Sequence, residues 1–347
     1  MTMVVAPRKP WAATPKDRFR DLAIFIISAL LSYIFVAVTP TKGKLAYIGL
    51  FFIFYSLSTG LMGWIKFGRR AAADSFVKTL IGLMAFVTVM PIASILATVV
   101  VKGNKGINFN LFKTDMSLNA PTDALNVGGL LHAITGTFIL VGIALVLSVP
   151  LGILTALYVT EIKGRFTKPI KFLVQAMSGV PSIVAGLFIL SAVLYPITKS
   201  YSGFMGSLAL TILMIPTIAR TSEEVLKLIP SELREAGVAL GGTQWRTVAM
   251  IVLPAARSGL MTAMILGVAR IAGETAPLLL LTGGGDKVNP NPFHDPMGSL
   301  PYYIWKSFNA GSPEAITRAW AGLLVLLMIV LILFTSARLL STRKVKS

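Results

Sequence analysis

The chain has 347 residues, of which 55% are apolar and only 13% charged. That balance excludes an ordinary soluble globular domain and points to a polytopic membrane protein. Its net charge of +18 does not indicate nucleic-acid binding, because the basic residues lie in short segments between apolar runs, as membrane topology requires. With no cysteine and only His132 and His294, disulfides, thiolate sites and a histidine-rich metal centre are excluded as well.

Residues 1–21 form a basic, proline-containing tail with Arg8, Lys9, Lys16, Arg18 and Arg20. It lacks the apolar run and small-residue cleavage site of a signal peptide, so it is expected to be retained. Apolar segments follow at about 22–40, 45–65, 77–101, 130–158, 172–195, 204–220, 258–282 and 319–340. Each approaches the ~20 helical residues that cross a ~30 Å hydrocarbon layer, which predicts an all-α fold with eight spans. Alternate connections then carry 22 Lys and Arg on one side and nine on the other, with Arg270 left inside a span. The positive-inside rule therefore places both termini in the cytoplasm. No connection is long enough for a separate soluble domain. The outer connections 102–129 and 283–318 are rich in Gly, Asn and Pro and read as structured turns. Pro91, Pro150, Gly179–Pro181 and Pro216 are expected to kink spans or let them pack closely.

One cytoplasmic stretch, Arg234 to Pro254 (REAGVALGGTQWRTVAMIVLP), is too polar for lipid and too apolar for a solvated linker. Ser231, after Pro230, reads as the N-cap of a short helix, and Glu232 and Glu235 then lie near its positive end. Ala236 and Gly237 offer a small-residue face that another protein can approach. Gly241 stops the helix with a positive φ. A second short helix starts from Thr243 with Trp245 as an anchor, and Leu253–Pro254 breaks it and turns the chain back.

The seventh span carries Arg270 and Glu274 in ARIAGETAPLLLLTGGG. Charges at this depth are costly and normally face a bundle interior or an aqueous path. Their i,i+4 spacing puts them within salt-bridge reach on one helix face. The guanidinium fork suits an oxyanion, and Thr275 adds a hydroxyl; an ion pair that only locks helices together remains the competing reading. Arg220 ends the sixth span, one turn after Pro216, where Thr221 and Glu224 fit a capping box that restarts a helix. It reads equally as a snorkelling interface residue or as part of a path. Glu161, in TALYVTEI, reads as an interface residue with a pathway role as the alternative, His132 as a packed or interfacial imidazole rather than a ligand, and Phe51, Phe52, Phe54 and Tyr55 as lipid-facing or core aromatics. No phosphate-loop motif G-x-x-x-x-G-K-[ST] and no nucleophile–base constellation is present, so no catalytic residue and no bound cofactor is expected.

The spacing Glu235–Ala236–Gly237, Gly241, then Ile251, Leu253 and Pro254 resembles the EAA loop of ATP-binding-cassette (ABC) importer permeases, with Gly237 in place of the usual alanine. RIAGETAPLL, GVPSIVAGLF, ARTSEEVLKLIPSELREAGVALG, MGSLPYYIW and AWAGLLVLL are similar to the PstA permeases of phosphate-specific ABC importers, from about residue 75 to the C-terminus. The resemblance implies a type I importer core of six helices over residues 76–347, preceded by a tail and two extra helices in 1–75. It implies an ATPase-coupling loop at 231–254 and a phosphate pathway through Arg220, Arg270, Glu274 and Thr275. It also implies a PstC-like second permease, two ATPase subunits carrying ATP and magnesium, and an extracytoplasmic phosphate-binding protein. A permease for sulfate or molybdate, a secondary transporter working without ATPases, and a membrane scaffold or sensor are the alternatives.

Overall fold

The computed structural model describes residues 15–39 and 43–342, so Arg8 and Lys9 of the basic tail lie outside the described residues. Thirteen α-helices make up most of the described chain; its β pairing is the single bridge between Gly283 and Met297. Seven helical runs are long and apolar enough to cross a membrane, and a bent pair brings the number to eight. The chain divides into two compact units, one ending at Leu96 and one starting at Ala97.

In the first unit, α1 (Pro15–Val38) and α2 (Lys44–Phe67) form a helical hairpin, followed by the first part of α3 (Arg69–Gly103). The aromatics of the second span join the two helices: Phe25 meets Phe51 edge-on at 5.0 Å and Phe35 meets Phe54 at 6.0 Å. α3 begins at Arg69, well before the apolar run starting at residue 77, because Ala71–Ala73 favour helix as strongly as the apolar residues that follow.

The second unit is built on α4 (Leu131–Leu157) and α7 (Gly203–Lys227), which lie side by side. Small residues allow close packing: a Cβ on Gly152 would stand 2.7 Å from Ile218 Cγ2, and one on Gly267, in a later helix, 2.9 Å from Met214 Cε. Leu140, Ala144, Leu213, Met214, Ile218 and Ile271 fill the middle of this packing. Around the pair stand α10 (Leu253–Ile271), α11 (Ala276–Leu281), α12 (Leu300–Ala310) and α13 (Pro313–Thr342).

Three expectations need correction. The segment expected as one span at 172–195, kinked or closely packed at Gly179–Pro181, is two elements, α5 (Thr167–Ser178) and a run from Ser182 to Thr198 that begins as α6 (Ser182–Ile189), bent by 105°. Pro181 has φ −59 and ψ 140, and that extended conformation turns the chain between them. α7 is not restarted at Thr221; it runs unbroken from Gly203 to Lys227 through the buried Pro216, so no capping box forms. The span expected at 258–282 ends at Ile271, and Ala272–Thr275 separates it from α11, because Pro277 in the first turn of α11 cannot continue the preceding helix.

Candidate functional site

The stretch after α7 has one definite local structure. Pro230 occupies the N-cap position of α8 (Ser231–Ala239), so Ser231 is the first helical residue and not the cap, and no side chain caps this end. Proline's restricted φ supplies the extended entry that a cap residue would otherwise set. The helix ends as expected at Gly241, whose φ is +82. Its N–H donates to Val238 O at 2.9 Å and that of Gly242 to Gly237 O at 3.1 Å, the paired bonds of a Schellman motif. Thr243 then caps α9 (Gln244–Thr247), accepting from the Arg246 N–H. Pro254 does not break the chain: α9 passes through a π turn, Val248–Val252, straight into α10. The wider π ladder absorbs the N–H that Pro254 lacks, so residues 244–271 form one helical run.

Gly237 is buried, contrary to the expectation of an outward small-residue face. A Cβ there would come within 2.6 Å of Thr247 Cγ2 and 2.8 Å of Ile251 Cδ1, so its smallness lets α8 fold against the π turn. Ile251 and Leu253 are half-buried behind it, while Pro254 is exposed. Glu235 and Ala236 face outward, together with Val238, Leu240 and Trp245, which makes an exposed apolar surface beside a carboxylate. An open cleft of about 1050 Å³ adjoins it, lined by Glu161, Lys163, Lys171, Lys227 and Glu235 among others.

The loop is fastened by a residue pair that sequence spacing does not reveal. Arg234 of α8 forks onto Glu161, with Nη2 2.8 Å from Oε1 and Nε 2.9 Å from Oε2. Its remaining hydrogens reach Leu226 O at 2.9 Å and Ile229 O at 2.7 Å, at the end of α7. Glu161 lies in the π turn Tyr158–Ile162 that ends α4, and its side chain is 7% exposed. Its hydrogen bonds, working against burial, hold Arg234 more firmly protonated than a free arginine.

The second constellation lies along α7 and α10. Arg270 Nη1 donates to Thr217 Oγ1 at 3.1 Å, and Arg220, three residues after Thr217, donates to Gln175 Oε1 of α5 at 2.6 Å. The i,i+3 spacing sets Thr217 and Arg220 on one face of α7, so the two guanidiniums occupy successive levels of it. Both arginines are exposed. Arg270 does not pair with Glu274: the helix has ended, and the Glu274 N–H closes a turn on Ile271 O at 3.1 Å. Gly273 therefore lies in this break and does not thin a helix. Glu274 and Thr275 are half-buried, with Thr275 Oγ1 3.4 Å from Gly273 O. Beside Arg220 is a polar crevice of about 430 Å³, lined by Thr155, Lys171, Gln175, Glu223 and Glu224.

The family model described as "Binding-protein-dependent transport system inner membrane component" matches residues 148–346. A "Phosphate transport system permease protein PstA 1" of Mycobacterium tuberculosis is 36% identical over 280 residues, covering 80% of this chain and 92% of that one. This chain belongs to the PstA family. A PstA of Pasteurella multocida is 35% identical over 283 residues, covering 81% of this chain and 98% of the relative. A crystal structure of a bacterial ABC transporter involved in alginate import shares the fold, with TM-score 0.57 and 16% identity over 80% of this chain and all of that one. The chain is accordingly a multi-pass transmembrane permease component and not itself a catalyst, in keeping with the expectation from the EAA-like spacing.

For a PstA permease, the geometry regroups the residues singled out in the sequence. Glu235 and Ala236 are outward, whereas Gly237, Gly241 and Ile251 build the loop that presents them. Arg220 and Arg270 share one face, and Glu274 stands apart from Arg270 in the break. Thr217, Gln175 and the anchoring role of Arg234 are not expected from the sequence, and Glu161, expected at the interface with a pathway role as the alternative, is the partner of Arg234. The signals were faint: a glutamine on an amphipathic helix, and an acid–base pair 73 residues apart. His132 is buried edge-on to Tyr303 at 5.7 Å, the packed imidazole expected.

Proposed function

We propose that this PstA permease forms one half of the translocation pathway of an ATP-driven phosphate importer, with both termini in the cytoplasm. The observation that carries the reading is the exposure of Arg220 and Arg270 on one flank of α7 and α10. An arginine at that depth is not left to lipid, so a second, PstC-like permease covers this flank and the two chains enclose an aqueous path. Phosphate passes Arg270 and then Arg220, with Glu274 and Thr275 at the helix break above them. Each guanidinium offers a planar fork to the oxyanion while already bonded to a neutral partner, Thr217 or Gln175. Contacts of that kind are weak enough to release the ion again.

Of the two ATPase subunits, which carry the ATP and magnesium, one docks on the exposed Glu235–Ala236 face and its apolar neighbours and the other on the coupling loop of the second permease. A phosphate-binding protein docks outside, over residues 102–129 and 283–318. Residues 76–347 form the permease domain, and 1–75 add a tail and two helices. The names of the relatives favour phosphate over sulfate or molybdate, and competition among the three anions in uptake distinguishes them.

The test is ATP-dependent phosphate uptake in vesicles holding all partners. Arg270→Gln is expected to lower uptake at least about tenfold, and Glu235→Lys to lower both uptake and binding of the ATPase. Uptake unchanged in both variants sinks the proposal. Uptake that persists without any ATPase subunit establishes a secondary transporter instead.

A further inference from the structure

The coupling loop stays attached to the spans by more than the chain that connects them. Between α7 and α8 lie only Leu228, Ile229 and Pro230, and Leu228 is 81% exposed. Leu228 stands largely out of the packing, while Ile229 rests on the cluster that includes Leu226 and Val252. Across this connector stands Arg234, whose guanidinium meets the Glu161 carboxylate and the carbonyls of Leu226, Ile229 and Pro230. Glu161 in turn accepts from Gln244 Nε2 on its own carbonyl at 2.7 Å, which ties α9 to the same point. One residue at the end of α4 thus holds both arms of the loop, α8 through its carboxylate and α9 through its main-chain carbonyl, and one guanidinium holds the ends of α4, α7 and α8 together.

We propose that Glu161 and Arg234 are the positioning pair that delivers movement of the coupling helix to the phosphate pathway. They touch neither nucleotide nor phosphate. Their role is to make α8, the end of α4 and the end of α7 move as one body. α4 and α7 are packed closely enough that Gly152 has no room for a Cβ against Ile218. Thr217 and Arg220 sit on α7, and Thr217 holds Arg270. A push on α8 therefore reaches both arginines through an ion pair and close packing, without relying on the connector. Arginine is specifically needed, because a lysine ammonium has three hydrogens and cannot bridge a carboxylate fork and three carbonyls at once.

This inference rests on the coupling role of the loop proposed above, and its test keeps the two apart. Glu161→Gln and Arg234→Lys are made in the complete transporter, and phosphate uptake and ATP hydrolysis are measured on the same vesicles. Loss of the joint lowers phosphate moved per ATP at least about fivefold in each variant while hydrolysis continues. Glu161→Asp, which keeps the charge and can still reach the fork, restores much of the ratio. If uptake and hydrolysis fall together, or if the ratio is unchanged, the pair is only structural and the inference is overturned. If the unaltered protein shows no ATP-dependent uptake, the coupling reading itself fails.

Discussion

Arg234 and Arg318 each gather several loop carbonyls onto one guanidinium, at opposite ends of α4. Arg234 shares its hydrogens between the carbonyls that close α7 and the Glu161 carboxylate, and its side chain is 27% exposed. Arg318, near the start of α13, is 1% exposed and donates to the carbonyls of Asp123, Ala124 and Val127 at 3.1, 2.6 and 2.7 Å. Among the described residues no carboxylate bridges it, and its Nε has no partner. A charge sealed away with carbonyls and the Met116 sulfur, and no carboxylate, suits a fastening that stays closed, because moving it exposes several unmet groups at once. A charge paired with a carboxylate near water suits a joint that bears load and shifts. One end of the permease is therefore a buried cap and the other a partly exposed, ion-paired joint.

The largest effect is expected from breaking the cap. Arg318→Met keeps the volume, removes the charge and leaves the Asp123 and Val127 carbonyls without a donor, while that of Ala124 keeps the Val127 N–H, which costs about 3 kcal/mol. Thermal unfolding in detergent or nanodiscs reads this as a lowered Tm, and an unchanged or raised Tm removes the contrast between the two ends. Gly237 sharpens the other side. Gly237→Leu overpacks Thr247 and Ile251 and costs about 2 kcal/mol. Gly237→Ala gains about 1 kcal/mol of helix propensity against a close contact with two side-chain tips, and is expected near neutral in the same assay.

The smallest effect concerns Asp115, in the loops beside the cap. Burial disfavours its ionised form, but hydrogen bonds from the Ser117 side chain and backbone and from the Val288 N–H outweigh it and hold the carboxyl below its usual range. A depressed carboxylate contributes stability that is present above its unfolded value, near 3.9, and is lost as pH falls through the folded value. Hydrogen exchange of the Val288 amide should stay slow down to about pH 4 and quicken below it. In Asp115→Asn the exchange should show no such step.

What could be read in the sequence divides along physical lines. Span positions are carried by runs of apolar residues, and the Gly241 stop and the Thr243 cap are set by the local chain, so both were legible. The 105° turn at Pro181 was visible only as a proline that could equally kink a span. The Arg270–Glu274 pair was inferred by extending a helix across Gly273, where the approach of Pro277 ends it. Arg234 and Glu161 were individually visible, but no periodicity joins residues 73 apart, and only the packing of α4 on α7 brings them together. Pro254 misled for a related reason: a proline signals a break unless a π turn precedes it.

That π turn at Val248–Val252 has a consequence for how the family can vary. A π turn amounts to one residue added to an α-helix, and each residue turns the helix by about 100°. The residue accommodated there decides which way every later side chain of α10 points, including Arg270. Deleting a single residue such as Met250 would let the turn relax to α-helix and swing Arg270 away from Thr217 by about a quarter-turn. A length change in the loop about twenty residues away can therefore redirect Arg270 while leaving its identity intact.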